Sequence, residues 1–168
     1  VWLDEGRDLV YVANTFGRSI LVWEDAATVD GDTPPARVIE HDRIGSPVFV
    51  FVEPARDLLF VAVMAMDRRV AEPSIAVYAR ASTRSGYVEP DVVIAGPSTR
   101  IDAGNNQTTH NVWYDDARHL LIVGHHTNEV RAYDGASTIS GIVAPARVIQ
   151  WTTGMQYFPP QPLWVTVP

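Results

Sequence analysis

Short apolar runs alternate with polar turns along the whole chain, and no 3.6-residue stripe of apolar positions interrupts the pattern. The clearest runs are Leu9–Ala13, Leu58–Val63 and Leu120–Gly124, which are rich in Val, Leu, Phe and Tyr. Runs of this length and composition favour strands over helices. The pattern therefore predicts an all-β protein.

One unit occurs three times, and each copy begins at an arginine: Arg7–Ile39, Arg56–Ile94 and Arg118–Ile149. An apolar strand ending in an acid precedes each arginine, and two strands and a small-residue segment with a glycine follow it. Each unit ends on a short strand after a proline, where the missing N–H suits an edge strand. The first strands are Val1–Leu3, Val48–Val52 and Val112–Tyr114; the third strands are Ile20–Trp23, Ile75–Tyr78 and Val130–Tyr133.

Units of four strands that repeat at roughly 40 to 50 residues are typical of β-propeller blades. We expect blades of antiparallel strands at about 1–41, 46–96 and 108–151, and residues 162–168 repeat the first strand of a further blade. The chain is then one partial propeller domain over 1–168, an arc of about three blades. Three blades should not close, so we expect half of a six- or seven-bladed propeller. The arc is either a slice of a longer protein or a chain that pairs with its own copy.

Composition excludes several classes of function. The chain has no cysteine and no lysine, which rules out thiolate chemistry and lysine Schiff bases. A net charge of −7 without a block of arginines makes a nucleic-acid partner unexpected. No apolar run is long enough to cross a bilayer as a helix. Because residue 1 is valine and no basic-then-apolar leader precedes it, we expect a processed or truncated start.

Polar residues gather where strand one begins and strand two ends, because antiparallel neighbours share that end. Imidazoles there could bind zinc, copper or nickel, so His110, His125 and His126 are candidate ligands for a divalent metal. His125 and His126 are adjacent and point to opposite faces, so only one of them readily joins His110. The main candidate ligand-binding residues at this end are Asn14, Arg18, His110, Asn111, His125, His126, Asn128 and Glu129. The loop before the third strand of the second unit adds Asp67, Arg68, Arg69 and Glu72 to the polar set.

Three motifs carry a family resemblance: VYVAN ending at Asn14, the SIxV pattern at Ser19–Val22 and Ser74–Val77, and VVIAGPSTRID at Val92–Asp102. They resemble the NHL/YVTN-type repeats of bacterial secreted and surface β-propellers. The resemblance implies a propeller and an extracytoplasmic location, whether periplasmic, cell-surface or secreted. The second unit departs from the pattern at Ala62–Pro73, and the third has GHH in place of VAN.

Two functions remain open from the sequence. One is a noncatalytic binding or scaffold module that presents loops to a protein or glycan partner. The alternative is a metal-assisted lyase or lactonase with a histidine site at the same end. The chain contains no nucleophile elbow, Gly-rich phosphate loop or calcium loop, which favours the noncatalytic function. Arg7, Arg56 and Arg118 recur beside Asp4, Glu53 and Asp115, and we expect these pairs to stabilise turns.

Overall fold

The computed structural model describes residues 1–64, 72–101, 109–125, 128–136, 138 and 141–151, with only the backbone of residue 110. Its strands form three sheets, and helix within these ranges is limited to three short 3-10 turns, at Asp42–Ile44, Ala81–Thr83 and Pro97–Thr99. The predicted all-β fold is confirmed, and the architecture is propeller-like. The predicted strand at 162–168 lies outside the described residues.

Each sheet contains a blade of four antiparallel strands, and the first sheet has a fifth strand, β8 (Gly86–Tyr87). Blade 1 contains β1 (Trp2–Asp4), β2 (Leu9–Asn14), β3 (Ser19–Glu24) and β4 (Arg37–Glu40). Blade 2 contains β5 (Ser46–Glu53), β6 (Leu58–Met64), β7 (Ser74–Ala79) and β9 (Val92–Ala95), with β8 (Gly86–Tyr87) between the last two in sequence. Blade 3 contains β10 (Thr109–Asp115), β11 (Leu120–His125), β12 (Glu129–Asp134) and β13 (Arg147–Gln150).

Two hydrophobic cores lie between the blades, one on each side of blade 2. Leu59 and Val61 point into the first core with Tyr11 of blade 1, and Phe60 points into the second core with Tyr114 and other residues of blade 3. Successive residues of β6 alternate between the two cores, because side chains of a strand point to opposite faces. Six of its seven residues are buried. The central blade is thus covered on both faces.

The outer edges of blades 1 and 2 each receive a backbone contact from the next blade. The strand β8 of blade 2 pairs in parallel with β4 of blade 1, with Ile39 opposite Gly86. Blade 3 repeats this contact, since Ile94 of β9 and Gly141 form a parallel bridge. Gly86 and Gly141 adopt φ values of 80° and 91°, which glycine tolerates best. In blades 2 and 3, the loop before the fourth strand therefore connects the blade to the preceding one.

The structure gathers the loops at two ends. The end that we call the loop pole carries the β2–β3 turn (15–18), the starts of β5 and β10, the end of β11 and the connectors that follow β4 and β9. The opposite end carries the turns between first and second strands, where the recurring arginines lie.

Candidate functional site

The β2–β3 turn at the loop pole is held by one asparagine side chain. The amide Nδ2 of Asn14 donates to Ser19 Oγ at 3.2 Å, and its Oδ1 accepts from the Gly17 backbone N–H at 3.3 Å. The Thr15 hydroxyl donates to the Pro47 carbonyl of blade 2 at 2.7 Å, which ties the turn to its neighbour. Arg18 closes the turn in a left-handed conformation, with φ of 54°. The turn is therefore short and well braced.

This braced turn holds an aromatic side chain in solvent. Phe16 is 86% exposed, more than any other large apolar side chain in the described part of the chain. Arg18, two residues further on, is also exposed. A phenyl ring left in water forgoes the favourable burial that a core position would provide.

An aromatic pair forms where the connector between blades 1 and 2 meets β8. The rings of His41 and Tyr87 are 4.9 Å apart, and Tyr87 is 63% exposed. A hydrogen bond to Asp42 raises the pKa of the Tyr87 phenol above its usual value. Arg43 and Glu89, both exposed, approach to 3.6 Å beside them. The pair adds aromatic and charged groups at the rim of the same pole.

The predicted histidine cluster is only partly described. The strand register places Thr109 opposite His125 and Asn111 opposite Gly124, so β10 begins where β11 ends, as predicted. His125 is fully buried on the side of blade 3 that packs against blade 2, and its Nε2 lies 3.2 Å from the Ile101 carbonyl. Asn111 points to the opposite face of the same sheet and is half-buried. The side chain of His110 and all of His126 lie outside the description.

His125 therefore contacts the connector after β9, and Nε2 donates to that carbonyl in the tautomer that satisfies both groups. Within the described ranges, no three His, Asp or Glu side chains come close enough together to hold a metal ion. The divalent-metal hypothesis, with its lyase or lactonase alternative, stays a prediction that depends on His110 and His126.

Glu129 and Asn128, two further candidates, stabilise blade 3 itself. Glu129 is 4% exposed, and Arg131 donates to it from Nε at 2.8 Å. Arg100 donates from the connector to the other carboxylate oxygen at 3.0 Å. Asn128 has φ of 58°, and its carbonyl accepts from the Trp151 N–H at 3.2 Å.

Burial opposes ionisation of Glu129, but hydrogen bonds and charge from Arg131, with the charge of Arg100, outweigh it and lower its pKa. Arg131 also donates to the Arg100 carbonyl, and the Tyr133 hydroxyl donates to the Thr99 carbonyl at 2.6 Å. This buried polar cluster fastens the connector after β9 to β12 of blade 3.

Turn arginines at the opposite end stabilise both their own turns and the neighbouring blade. Arg7 pairs with Asp4 at 2.8 Å, and Arg118 pairs with Asp115, which lowers the pKa of Asp115 through the hydrogen bond. For these two the predicted acid–arginine pair is confirmed. Arg56 differs: Glu53 accepts from its backbone N–H, whereas its guanidinium pairs with Asp116 of blade 3.

Sequence reasoning missed Phe16, the His41–Tyr87 pair and the Arg100–Glu129–Arg131 cluster. A signal existed for the first, because an aromatic between Asn14 and Gly17 in a tight turn has no neighbour to cover it. No local pattern brings Arg100 to Glu129, since they are far apart in sequence and meet only when blade 3 folds back on its connector.

The comparisons with known proteins concern fold alone. No protein-family model matches the sequence, and no curated protein is significantly similar to it. Among solved structures, the chain is similar to BBS1N in a crystal structure of its complex with ARL6DN, with 16% identity and a TM-score of 0.49. The match covers 87% of this chain and 36% of that chain, so this chain spans about a third of that structure's length.

The fold defines the chain as a propeller-like protein built from four-stranded blades. Within the ranges described, the structure has no helix with the length and apolar character that a bilayer crossing requires.

Proposed function

We propose that this chain is a noncatalytic binding module that docks a partner protein at the loop pole. The observation that carries the proposal is Phe16, an aromatic side chain that is 86% exposed on a turn braced by Asn14 and Thr15. Exposed aromatic anchors that enter a pocket of the partner dominate the energetics of many interfaces. The charged neighbour Arg18 belongs to the residue types enriched at such sites.

Rigidity of the turn supports the same function. Association costs free energy for every side chain and loop that must be ordered, so a turn that is already ordered loses less on binding. Asn14 satisfies groups at both ends of the turn, and Thr15 fixes it to blade 2. The backbone that carries Phe16 is thereby ordered before any partner arrives.

Charge on the pole suggests the chemistry of the partner. The whole chain carries −7, yet the exposed charged residue in the same turn as Phe16 is Arg18. Like charges disfavour encounter and opposite charges steer it. We therefore expect the partner to carry acidic groups around an apolar pocket that receives Phe16.

The test is a selection followed by measured affinities. A phage library displaying fragments encoded by the genome of the source organism is selected on the immobilised chain, and binding domains are purified for calorimetry. Phe16→Ala should weaken their binding at least about tenfold, equivalent to about 1.4 kcal/mol. Ile142→Ala is the matched control, because Ile142 is 64% exposed but lies on the outer edge of the blades.

A glycan array probed with the same variants tests the competing ligand class. If a saccharide binds in a manner that depends on Phe16 and no displayed protein domain does so, the partner is a glycan rather than a protein. Displayed domains that bind the Phe16→Ala chain as tightly as the wild type would refute docking at this pole.

The proposal also includes the family relationship of the chain and its location in the cell. The VYVAN, SIxV and VVIAGPSTRID motifs support an origin among NHL/YVTN-type repeats, and that resemblance supports an extracytoplasmic site of action. An antibody against the chain, applied to fractionated source cells, should detect the protein outside the cytoplasm. Detection in the cytoplasmic fraction alone would contradict this location.

A further inference from the structure

The dipeptide Asp–Gly occurs twice in the chain, as Asp30–Gly31 in the β3–β4 loop and as Asp134–Gly135 at the end of β12. Glycine has no Cβ, so no side chain shields its amide nitrogen from the carboxyl group of the residue before it. By composition the two pairs are equally reactive. Their hydrogen bonds in the folded chain are different.

At Asp30 the amide nitrogen of Gly31 lies against the carboxyl group. The Gly31 N–H donates to Asp30 Oδ1 at 2.7 Å, and both residues are exposed. Gly31 has φ of 66°, and a Cβ built on it would meet no atom within 4 Å beyond its chain neighbours. The Thr33 hydroxyl donates to the Asp30 carbonyl at 2.6 Å, which helps to hold the backbone in this conformation. The nitrogen and the carboxyl group are thus neighbours in an open part of the loop.

At Asp134 both groups are engaged elsewhere. The Gly135 N–H donates to the His119 carbonyl at 2.8 Å, so it points away from the carboxyl group that precedes it. Arg147 donates to Asp134 Oδ1 at 2.8 Å, and Gly135 is half-buried. An approach of the Gly135 nitrogen to the Asp134 carboxyl carbon would require the loss of the backbone hydrogen bond to His119.

We propose that Asp30 rearranges spontaneously to isoaspartate in the folded chain, whereas the fold protects Asp134. A nucleophile that is held beside its electrophile reacts faster than one that must first be brought there. This modification site is independent of the partner protein proposed for the loop pole.

The reaction needs only the chain and water. The Gly31 nitrogen attacks Asp30 Cγ, the N–Cγ bond forms, and the carboxyl hydroxyl leaves with the amide proton as one water molecule. The product is a cyclic succinimide with one negative charge fewer. Water then adds to one of the two ring carbonyls. Opening at Cγ restores aspartate, and opening at the backbone carbonyl leaves the chain linked through Cγ, which is isoaspartate.

Isoaspartate changes the β3–β4 loop. The backbone gains one atom between Asp30 and Gly31, and the Asp30 carbonyl that accepted from Thr33 becomes part of a free carboxylate. The carbonyl of Thr33 in turn accepts from Trp23 Nε1 at 2.8 Å, so the change reaches an aromatic side chain of β3. The loop follows the end of β3 that pairs with the start of β2, away from the Phe16 turn.

Peptide mapping of the aged 168-residue chain tests the proposal. The folded protein is incubated at neutral pH, and samples are digested after arginine, which places the two pairs on separate peptides, 19–37 and 132–147. Fragmentation that cleaves between Cα and Cβ distinguishes isoaspartate from aspartate. We expect isoaspartate to accumulate with time in peptide 19–37 and to stay at the unaged level in peptide 132–147. Equal accumulation in both peptides, or none in 19–37, would overturn the proposal.

The same incubation in concentrated urea separates the effect of the fold from that of the dipeptide. Unfolding removes the hydrogen bond from Gly135 to His119 and the one from Gly31 to Asp30, so both peptides should then accumulate isoaspartate at similar rates. If Asp134 stayed unreactive in urea as well, its protection would not come from the fold and that half of the proposal would be wrong.

Asp30→Glu identifies the reacting residue. The longer side chain would have to close a six-membered ring, which forms far more slowly, while the charge at the position is kept. This variant should show no isoaspartate in peptide 19–37, with an unchanged circular-dichroism spectrum. Persistent isoaspartate would place the reaction at Asp25 or Asp32 of the same peptide and refute the assignment to Asp30.

Discussion

Glu129 and Arg131 are two residues apart on β12 and form an ion pair whose side chains are only 5% and 3% exposed. Both point toward the connector after β9, where Arg100 adds a second guanidinium. Residues two apart on a strand share a face, which is why one carboxylate can bind the neighbouring arginine without a bend. The pair connects two parts of the chain that are distant in sequence.

Replacing Glu129 by Gln should destabilise the chain by about 3 kcal/mol, because the change leaves the buried Arg131 guanidinium without its counter-charge. Chemical denaturation followed by tryptophan fluorescence measures the effect. Asp134→Asn is the control, since its pair with Arg147 is about 60% exposed on both sides and should contribute less than about 1 kcal/mol.

The same substitution should change the dependence of stability on pH. The pKa of Glu129 is lowered in the folded chain, so its ionised form adds stability at pH values above about 4.3, the pKa of glutamate in an unfolded chain. This added stability is lost as pH falls from about 4.3 through the lower pKa of the folded chain. Wild type should therefore lose more stability than Glu129→Gln on acidification; parallel curves would contradict the assignment.

Gly17→Ala should distort the Phe16 turn while leaving the blades folded. A Cβ at this position would lie 2.0 Å from Asn14 Nδ2, so the Asn14 side chain must move and its bonds to Ser19 and Gly17 are lost. Two such hydrogen bonds contribute about 1 kcal/mol each. Amide hydrogen exchange should quicken at 15–19, and binding at the loop pole should weaken. Gly31→Ala is the control, because it replaces a glycine in a different loop, and it should not alter amide hydrogen exchange in the Phe16 turn.

Phe60→Ala should cost about 3 to 5 kcal/mol, because it opens a cavity in the core between blades 2 and 3. The Phe60 ring is fully buried and lies 4.8 Å from the ring of Tyr114. Val148→Ala, at a position that is 37% exposed, should change stability by no more than about 0.5 kcal/mol. Equal denaturation midpoints for the two variants would contradict the two-core arrangement.

The buried tyrosines should make the chain lose stability at high pH. Burial raises the pKa of Tyr11 and of Tyr133 to about 12, against about 10 in an unfolded chain. Each raised pKa adds to the stability of the folded chain below about pH 10. That stability is lost as pH rises to about 12, because the unfolded chain releases the phenolic proton at a lower pH than the folded chain does. Absorbance at the phenolate band should show two phenols that titrate at higher pH than an ordinary tyrosine. Tyr11→Phe and Tyr133→Phe should each remove one of these two titrations.

Short apolar runs and the threefold repeat were sufficient to predict the strands and their grouping into blades. In β6, for example, each residue faces one of two neighbouring sheets, so a continuous apolar run is what a central blade requires. The acid–arginine turn was likewise predictable for Arg7, because its partner Asp4 is three residues away. Local partners can be predicted since the turn geometry alone brings them together.

Long-range partners could not be predicted in this way. The sequence placed Arg56 beside Glu53, but the folded chain brings Asp116 to its guanidinium because the next blade stands directly behind the turn. Glu129 was predicted as a candidate ligand-binding residue, and the connector after β9 covers it. Both contacts depend on how one sheet is stacked on another, which no local pattern encodes.

The sequence by itself determined that three copies of one four-stranded antiparallel unit follow each other, because strand length, alternation and turn residues are local properties. Only the tertiary structure decided that Phe16 stands in solvent and that His125 is buried against Ile101. Exposure is a property of neighbouring sheets, and those neighbours are set by the packing of whole blades.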